Sequence, residues 1–186
     1  ERVRSSVGLF LLGLSSFLFI SAISSIFSGT SDILLISSES TSIPANNLGG
    51  KLGAMVGYYL VRNTFGFGFL AIPLIMTMMG IKALTGKMIL PFWKTTIWLL
   101  AAMVILPWSL GFFFYVRIPE SVEITMLIGD HIIGGASRFL LQTTDNYLHK
   151  TGSAIAMMVI ASSTLYLLFP GWTDKIDGKK LGDIKK

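Results

Sequence analysis

The chain has 186 residues, of which 52% are hydrophobic and only 13% are charged, against about 25% charged in a typical soluble domain. Its mean hydropathy of +0.69 excludes an ordinary soluble protein and indicates an integral membrane protein. The absence of cysteine excludes disulfides, thiol nucleophiles and thiolate metal sites.

Four long apolar runs predict four transmembrane helices in an all-α polytopic membrane protein, since about 20 apolar residues cross a bilayer as a helix. The predicted spans are residues 7–27, 63–84, 95–115 and 152–169. Pro73 and Pro107 lie inside the second and third spans, where we expect kinks. The domain prediction is a tail over residues 1–6, a membrane domain over 7–169, and the start of a linker over 170–186.

The first run could also be a cleavable signal peptide, because it follows a basic start. Its 21 uncharged residues, Val7–Phe27, exceed the usual apolar core of about 7–15 residues, and no clear A-x-A site follows. A retained anchor is therefore favoured.

The distribution of Lys and Arg predicts the orientation of the four spans. The side that holds both termini and the loop between spans two and three carries ten basic and four acidic residues, and the other side carries five and six. Both termini are therefore predicted to be cytoplasmic, and the segments Ser28–Gly50 and Val116–Lys150 to lie outside.

The stretch Leu48–Gly66 has an echo 85 residues later in Ile133–Gly152. Each copy opens with Gly-Gly, continues with about fifteen mixed residues, and reaches a glycine that begins a span. The second copy is amphipathic; its apolar helical face consists of Leu140, Leu141, Thr144, Tyr147 and Leu148. The repeat predicts two interfacial helices on the outer side, before spans two and four.

Glycines four residues apart, Gly49, Gly53 and Gly57, share one face of a helix and form a small-xxx-small pattern. This spacing predicts close packing against another helix or a second chain, whereas a flexible loop with loose helix ends is the alternative. The predicted structural positions of the whole chain are Gly49, Gly50, Gly53, Gly57, Gly66, Pro73, Gly134, Gly135 and Gly152.

Residues with catalytic or metal-binding chemistry are few, and we predict no catalytic, cofactor or metal site in the chain. His131 and His149, with Asp130 and Asp145 nearby, match no zinc-ligand spacing. Glu120 and Glu123 are typical of a polar loop. Arg62, at the start of span two, is expected to extend toward the outer surface rather than to line an ion path.

At Asn47–Leu84 the sequence resembles the N-terminal four-helix membrane domain of the FtsK-type DNA translocases. The matching positions are Asn47, Gly50, Gly53, Ala54, Phe65, Gly66, Pro73 and Gly80. The first span and the approach to span four at Gly134 and Gly135 are also similar to that family.

The resemblance implies a membrane anchor in the cell inner membrane at the division septum. It also implies homo-oligomers, a hexamer in the full-length protein, and contacts with divisome membrane proteins. The family's ATP- and magnesium-dependent motor pumps DNA in chromosome segregation, and its phosphate loop has no counterpart here, since "LTGKMI" lacks the glycine spacing. The 186 residues are thus expected to be a non-enzymatic fragment that stops where the linker begins; the alternative is a small transporter or channel subunit.

Overall fold

The computed structural model describes residues 2–28, 32, 44–117 and 132–168, and these residues are almost entirely helical, with no strand among them. The elements in chain order are α1 (Arg2–Ser28), α2 (Gly50–Val56), a π-helical segment (Gly57–Arg62), a 3₁₀ helix (Gly66–Leu70), α3 (Ala71–Thr85), α4 (Phe92–Arg117) and α5 (Gly135–Leu168). The all-α prediction is confirmed.

Three helices are long and apolar enough to cross a membrane, and they coincide with the first three predicted spans: Arg2–Phe27, Gly66–Thr85 and Phe92–Phe112. The chain is therefore a polytopic membrane protein. The described part of the fourth predicted span, residues 152–168, falls in the second part of α5, and the span itself stays a prediction.

Helices α1 and α3 form the most extensive helix pair of the described residues. They run antiparallel, because Gly8 of α1 lies beside Gly80 and Leu84, while Ser15 lies beside Thr77. The Ser15 and Thr77 hydroxyls are 2.9 Å apart, and a hydrogen bond between side chains of this kind joins helices inside a membrane. Helix α3 also contacts α4, and α4 contacts α5.

The start of the second span differs from the prediction. Residues 63–65 connect the π-helical segment to the 3₁₀ helix, and the apolar helix begins at Gly66 instead of Asn63. Gly66 has φ +57°, a left-handed conformation that interrupts a right-handed helix and that glycine adopts without a Cβ clash.

The two prolines have different positions in their helices. Pro73 is the third residue of α3, and a proline in a first turn removes no intrahelical hydrogen bond of that helix. The expected kink inside span two is therefore replaced by a junction between 3₁₀ and α geometry. Pro107 does lie inside α4, so the carbonyl of Met103, four residues earlier, lacks its helical donor.

Helix α5 consists of two segments that meet at His149, whose φ of 53° and ψ of 172° are not helical. The first segment, residues 135–148, corresponds to the predicted second interfacial helix. The second begins at Lys150, two residues before the predicted start at Gly152.

A small apolar core joins the C-terminal end of α1 to the segments after α2. It consists of Ala22, Val61 and Phe69, with Ile26, Val56, Leu70 and Ile72 packed around it. This core holds the α2 region against α1 and so positions the glycines that the sequence singled out.

Candidate helix-packing site

The glycine pattern of α2 faces two serines near the end of α1. Ser21 and Ser25 are both buried and lie four residues apart, so they share one face of α1. Gly49, Gly53 and Gly57 present the matching bare face of the other segment. Small residues on both sides allow two helical backbones to approach closely.

The contacts of each glycine define how close this approach is. A Cβ atom at Gly49 would collide with Ser21 Oγ, and one at Gly57 would collide with Ser25 Cβ. At Gly53 it would collide with Asn47 Oδ1 and lie 2.9 Å from Ser21 Oγ. These contacts support the packing hypothesis over a loose hinge and identify α1 of the same chain as the packing partner.

Asn47 organises the turn that leads into α2. Its side chain is buried, and its Nδ2 donates a hydrogen bond of 2.9 Å to the carbonyl of Ser21. Its Oδ1 accepts a hydrogen bond of 2.8 Å from the backbone N–H of Gly49, as asparagine commonly does in turns. One amide thus satisfies a carbonyl of α1 and a donor at the start of α2.

A second hydrogen bond joins the same two segments. The backbone N–H of Leu48 donates to Ser24 Oγ over 2.9 Å, and the hydroxyl of Ser25 donates to the carbonyl of Ala22. These hydroxyls are hydrogen-bonded, whereas Ser21 Oγ, which faces Gly49 and Gly53, is buried without a hydrogen-bond partner among the described residues.

The two Gly-Gly positions do not have equivalent backbone roles. In the first copy the left-handed residue is Gly50, with φ +64°, and in the second it is Gly134, with φ +76°. A Cβ at Gly50 would meet nothing within 4 Å, whereas one at Gly135 would lie 3.2 Å from the carbonyl oxygen of Asn63. Gly50 therefore provides the backbone conformation of a turn, whereas Gly135 permits a close contact with the backbone of Asn63.

The two halves of the chain meet through glycine backbone. A Cβ at Gly134 would collide with the backbone nitrogen of Gly66, and one at Gly66 would collide with the carbonyl of Ile132. The N–H of Ala136 also donates to the carbonyl of Thr64 over 2.9 Å. Two left-handed glycines from the two copies thus lie against each other.

Gly68 meets α4 at the carbonyl that Pro107 leaves without a helical donor. A Cβ at Gly68 would collide with the Met103 carbonyl oxygen and lie 2.8 Å from Pro107 Cγ. Pro107 is fully buried. The 3₁₀ helix, which has no side chain at Gly68, therefore packs directly against the Met103 carbonyl of α4.

Gly152 has a lesser role than its position in the repeat predicted. A Cβ there would lie 2.9 Å from Leu148 Cβ of its own helix. The break before the span is at His149 instead. No glycine stands at the break, so the pattern of glycines in the sequence contained no signal for it.

Sequence reasoning missed several contributors to packing. Gly8 and Gly80 let α1 and α3 approach, since a Cβ at Gly80 would lie 3.1 Å from the carbonyl oxygen of Gly8. Ser21 and Ser25 were also missed, although their four-residue spacing is itself a small-xxx-small signal.

The residues considered for chemistry do not assemble into a site within the described part of the chain. No group of three metal-ligating side chains occurs there. His149 is exposed at the break of α5, and Arg62 is half-buried with its guanidinium 5.4 Å from the centre of the Tyr58 ring. His131, Glu120, Glu123 and Asp130 lie outside the described residues.

Comparison with known protein families matches residues 1–173 to the family described as the 4TM region of DNA translocase FtsK/SpoIIIE. No curated protein and no solved structure matches the chain. The match covers the resemblance seen at Asn47–Leu84 and extends through all four predicted spans.

Proposed function

The chain belongs to the family formed by the 4TM region of DNA translocase FtsK/SpoIIIE, and we propose that it holds such a translocase at the division septum of the inner membrane. The membrane-anchor role within a DNA translocase follows from the family and from the three membrane-spanning helices. The septal position, the divisome partners and the cytoplasmic placement of both termini belong to the proposal.

The observation that carries the proposal is the match across 173 residues together with the packing between α1 and the segment from Asn47 to Gly57. An anchor needs a rigid membrane unit, because force on the motor must not separate its helices. Hydrogen bonds from Asn47 and Leu48 to α1 and the glycine–serine contacts supply that rigidity. ATP and magnesium would act in a motor outside these residues.

Self-association is a further part of the proposal. A ring-shaped motor would bring several membrane units together, and we expect them to form a hexamer in the full-length protein. The mass of the isolated chain in detergent, measured by light scattering against the 20.3 kDa of one chain, tests whether the membrane unit associates without its motor.

The septal role is tested by fusing residues 1–186 to a fluorescent protein in a dividing rod-shaped bacterium. We expect fluorescence to concentrate at midcell late in the division cycle. An unrelated four-span membrane protein of similar size, fused in the same way, is the control and should label the membrane evenly. Even labelling by both fusions would contradict recruitment through this chain and leave the anchor role in place.

The alternative of a small transporter or channel subunit has no observation in its favour. The three membrane-spanning helices contain no Asp or Glu, and intramembrane carboxylates are frequent in proton- and cation-coupled pathways. We therefore propose no transport function.

A further inference from the structure

A shallow apolar groove lies at the end of the helix bundle where α3 gives way to α4. It has a volume of about 100 Å³ and is lined by Met78, Ile81, Met88, Ile89 and Leu90. Ile89 is 72% exposed, so the groove is open on the outside of the bundle. Its walls are hydrocarbon and thioether groups, which suit an acyl chain.

Basic residues adjoin the groove-lining residues. Lys82 lies one turn after Met78 on the same face of α3, with its Nζ 5.9 Å from the centre of the Phe92 ring, and Lys87 directly precedes Met88. Arg4 of α1 reaches the same corner, because its guanidinium donates a 3.1 Å hydrogen bond to the carbonyl of Lys82 and lies over the turn at Gly86.

No carboxylate balances these charges within the described residues. The only acidic residues there are Asp32 and Asp145, of which Asp32 accepts a hydrogen bond from the Asn46 N–H near α2 and Asp145 belongs to α5. Lys87 is exposed. Its ammonium group is therefore accessible to an anion.

The groove lies at one end of two membrane-spanning helices, where we expect the boundary between acyl chains and headgroups. It is bounded by the end of one membrane-spanning helix at Thr85 and the start of the next at Phe92. Trp93, the second residue of α4, is 77% exposed, with its ring 5.6 Å from that of Phe92. Exposed tryptophan at a span end is typical of the membrane–water interface.

We propose that this corner is a binding site for one anionic diacyl phospholipid. Part of one acyl chain packs against the groove formed by residues from Met78 to Leu90, and the phosphate interacts with Arg4, Lys82 and Lys87. The inference requires only that the helices span a membrane. It does not depend on the proposed septal function, and the septal test and the lipid test can fail separately.

A lipid explains both features of the corner, whereas free phosphate or duplex DNA would use only the charges. Basic residues next to a membrane attract anionic lipid with about 1 kcal/mol each, which corresponds to about a fivefold change in affinity. A lipid site has both a charged and an apolar subsite, whereas a diffuse basic surface has only the charges.

The test is a titration of the purified 186-residue chain in neutral detergent with dioleoyl phosphatidylglycerol and, separately, dioleoyl phosphatidylcholine, followed by native mass spectrometry. We expect preferential binding of the anionic lipid. Lys87→Gln should weaken that binding about fivefold. Arg2→Gln is the matched control and should leave it unchanged, because Arg2 is about 200° around α1 from Arg4.

Additional variants and competitors distinguish binding of the lipid from binding of other anions. Ile89→Asn should weaken phosphatidylglycerol binding, while inorganic phosphate and a short DNA duplex should compete poorly with the lipid. Equal binding of both lipids, equal losses in Lys87→Gln and Arg2→Gln, or full competition by DNA would each overturn the proposal. All variants must first show the elution volume of the parent chain, and Lys87→Gln retains the backbone N–H that bonds Thr85.

Discussion

Gly53 lies where α2 meets α1, and it leaves no room for a side chain. Replacing Gly53 or Gly57 with leucine should push α2 away from Ser21 and Ser25. We expect a loss of about 1–3 kcal/mol in the free energy of unfolding, the usual cost of overpacking. The measurement is thermal unfolding in detergent, with light scattering to detect any change in oligomer size.

Gly13 offers a matched control for these variants. It lies in α1, is exposed, and has open space around its Cβ position, so Gly13→Leu should be tolerated. Ile75→Leu in α3 is a second control of nearly constant volume. If Gly53→Leu unfolds at the same temperature as both controls, the packing hypothesis is wrong.

Gly50 differs from its neighbours because its requirement is conformational. Its φ of +64° disfavours any residue with a Cβ by roughly 1–2 kcal/mol. Gly50→Ala should therefore lower stability despite the open space, and Gly50→Asn should lower it less, since asparagine tolerates this conformation. Comparison of the two melting temperatures tests this, and equal losses would argue against a backbone cause.

Asn47 makes two buried hydrogen bonds with one side chain. Asn47→Ala would leave the carbonyl of Ser21 and the N–H of Gly49 without these partners, at a cost of about 1–3 kcal/mol. Leu48→Ala is the neighbouring control, because the Leu48 side chain is 81% exposed and its hydrogen bond to Ser24 uses the backbone N–H. A melting temperature for Asn47→Ala equal to that of Leu48→Ala would contradict the role given to the amide.

The position of the break in α5 differs from the position that the sequence predicts. The sequence predicts an interfacial helix and a span that begins at Gly152, yet the break in α5 occurs at His149. Gly111 of α4 explains part of the placement, because its bare surface accommodates Leu141 and Ile133 from the second half. The segment before the break therefore packs against α4.

The break at His149 makes a prediction about glycine substitution. His149→Gly should be nearly neutral, because relief of the left-handed backbone offsets the greater freedom of the unfolded chain. Tyr147→Gly, two residues earlier in the helical segment and at a side chain that is 83% exposed, should cost about 1 kcal/mol. Thermal unfolding of both variants measures the contrast, and equal destabilisation would mean that the helix is continuous through residue 149.

The complete chain is predicted to have both termini in the cytoplasm, from its ten basic residues on that side against five on the other. Because the chain has no cysteine, a single introduced cysteine is the only thiol that can react with a labelling reagent. Ser40→Cys should react with an impermeant maleimide in intact spheroplasts, and Lys87→Cys should react only after permeabilisation. An unreactive Ser40→Cys in intact spheroplasts, with Lys87→Cys reactive, would reverse the orientation.

Hydropathy was sufficient to identify a membrane protein and the three spans that the structure confirms among the four predicted. Such properties add up over about 20 neighbouring residues, so the linear order of the chain contains them. The glycine spacing likewise indicated a packing face, because residues four apart share one side of a helix.

What the spacing could not provide was the partner of each face. Ser21 and Ser25 meet the glycines of α2, Gly66 meets Gly134, and Gly68 covers the carbonyl that Pro107 leaves without a donor. Each contact joins residues that are distant in sequence, and each depends on backbone positions set by all the helices together. Only the folded bundle could therefore select among the many pairings that a chain rich in small residues allows.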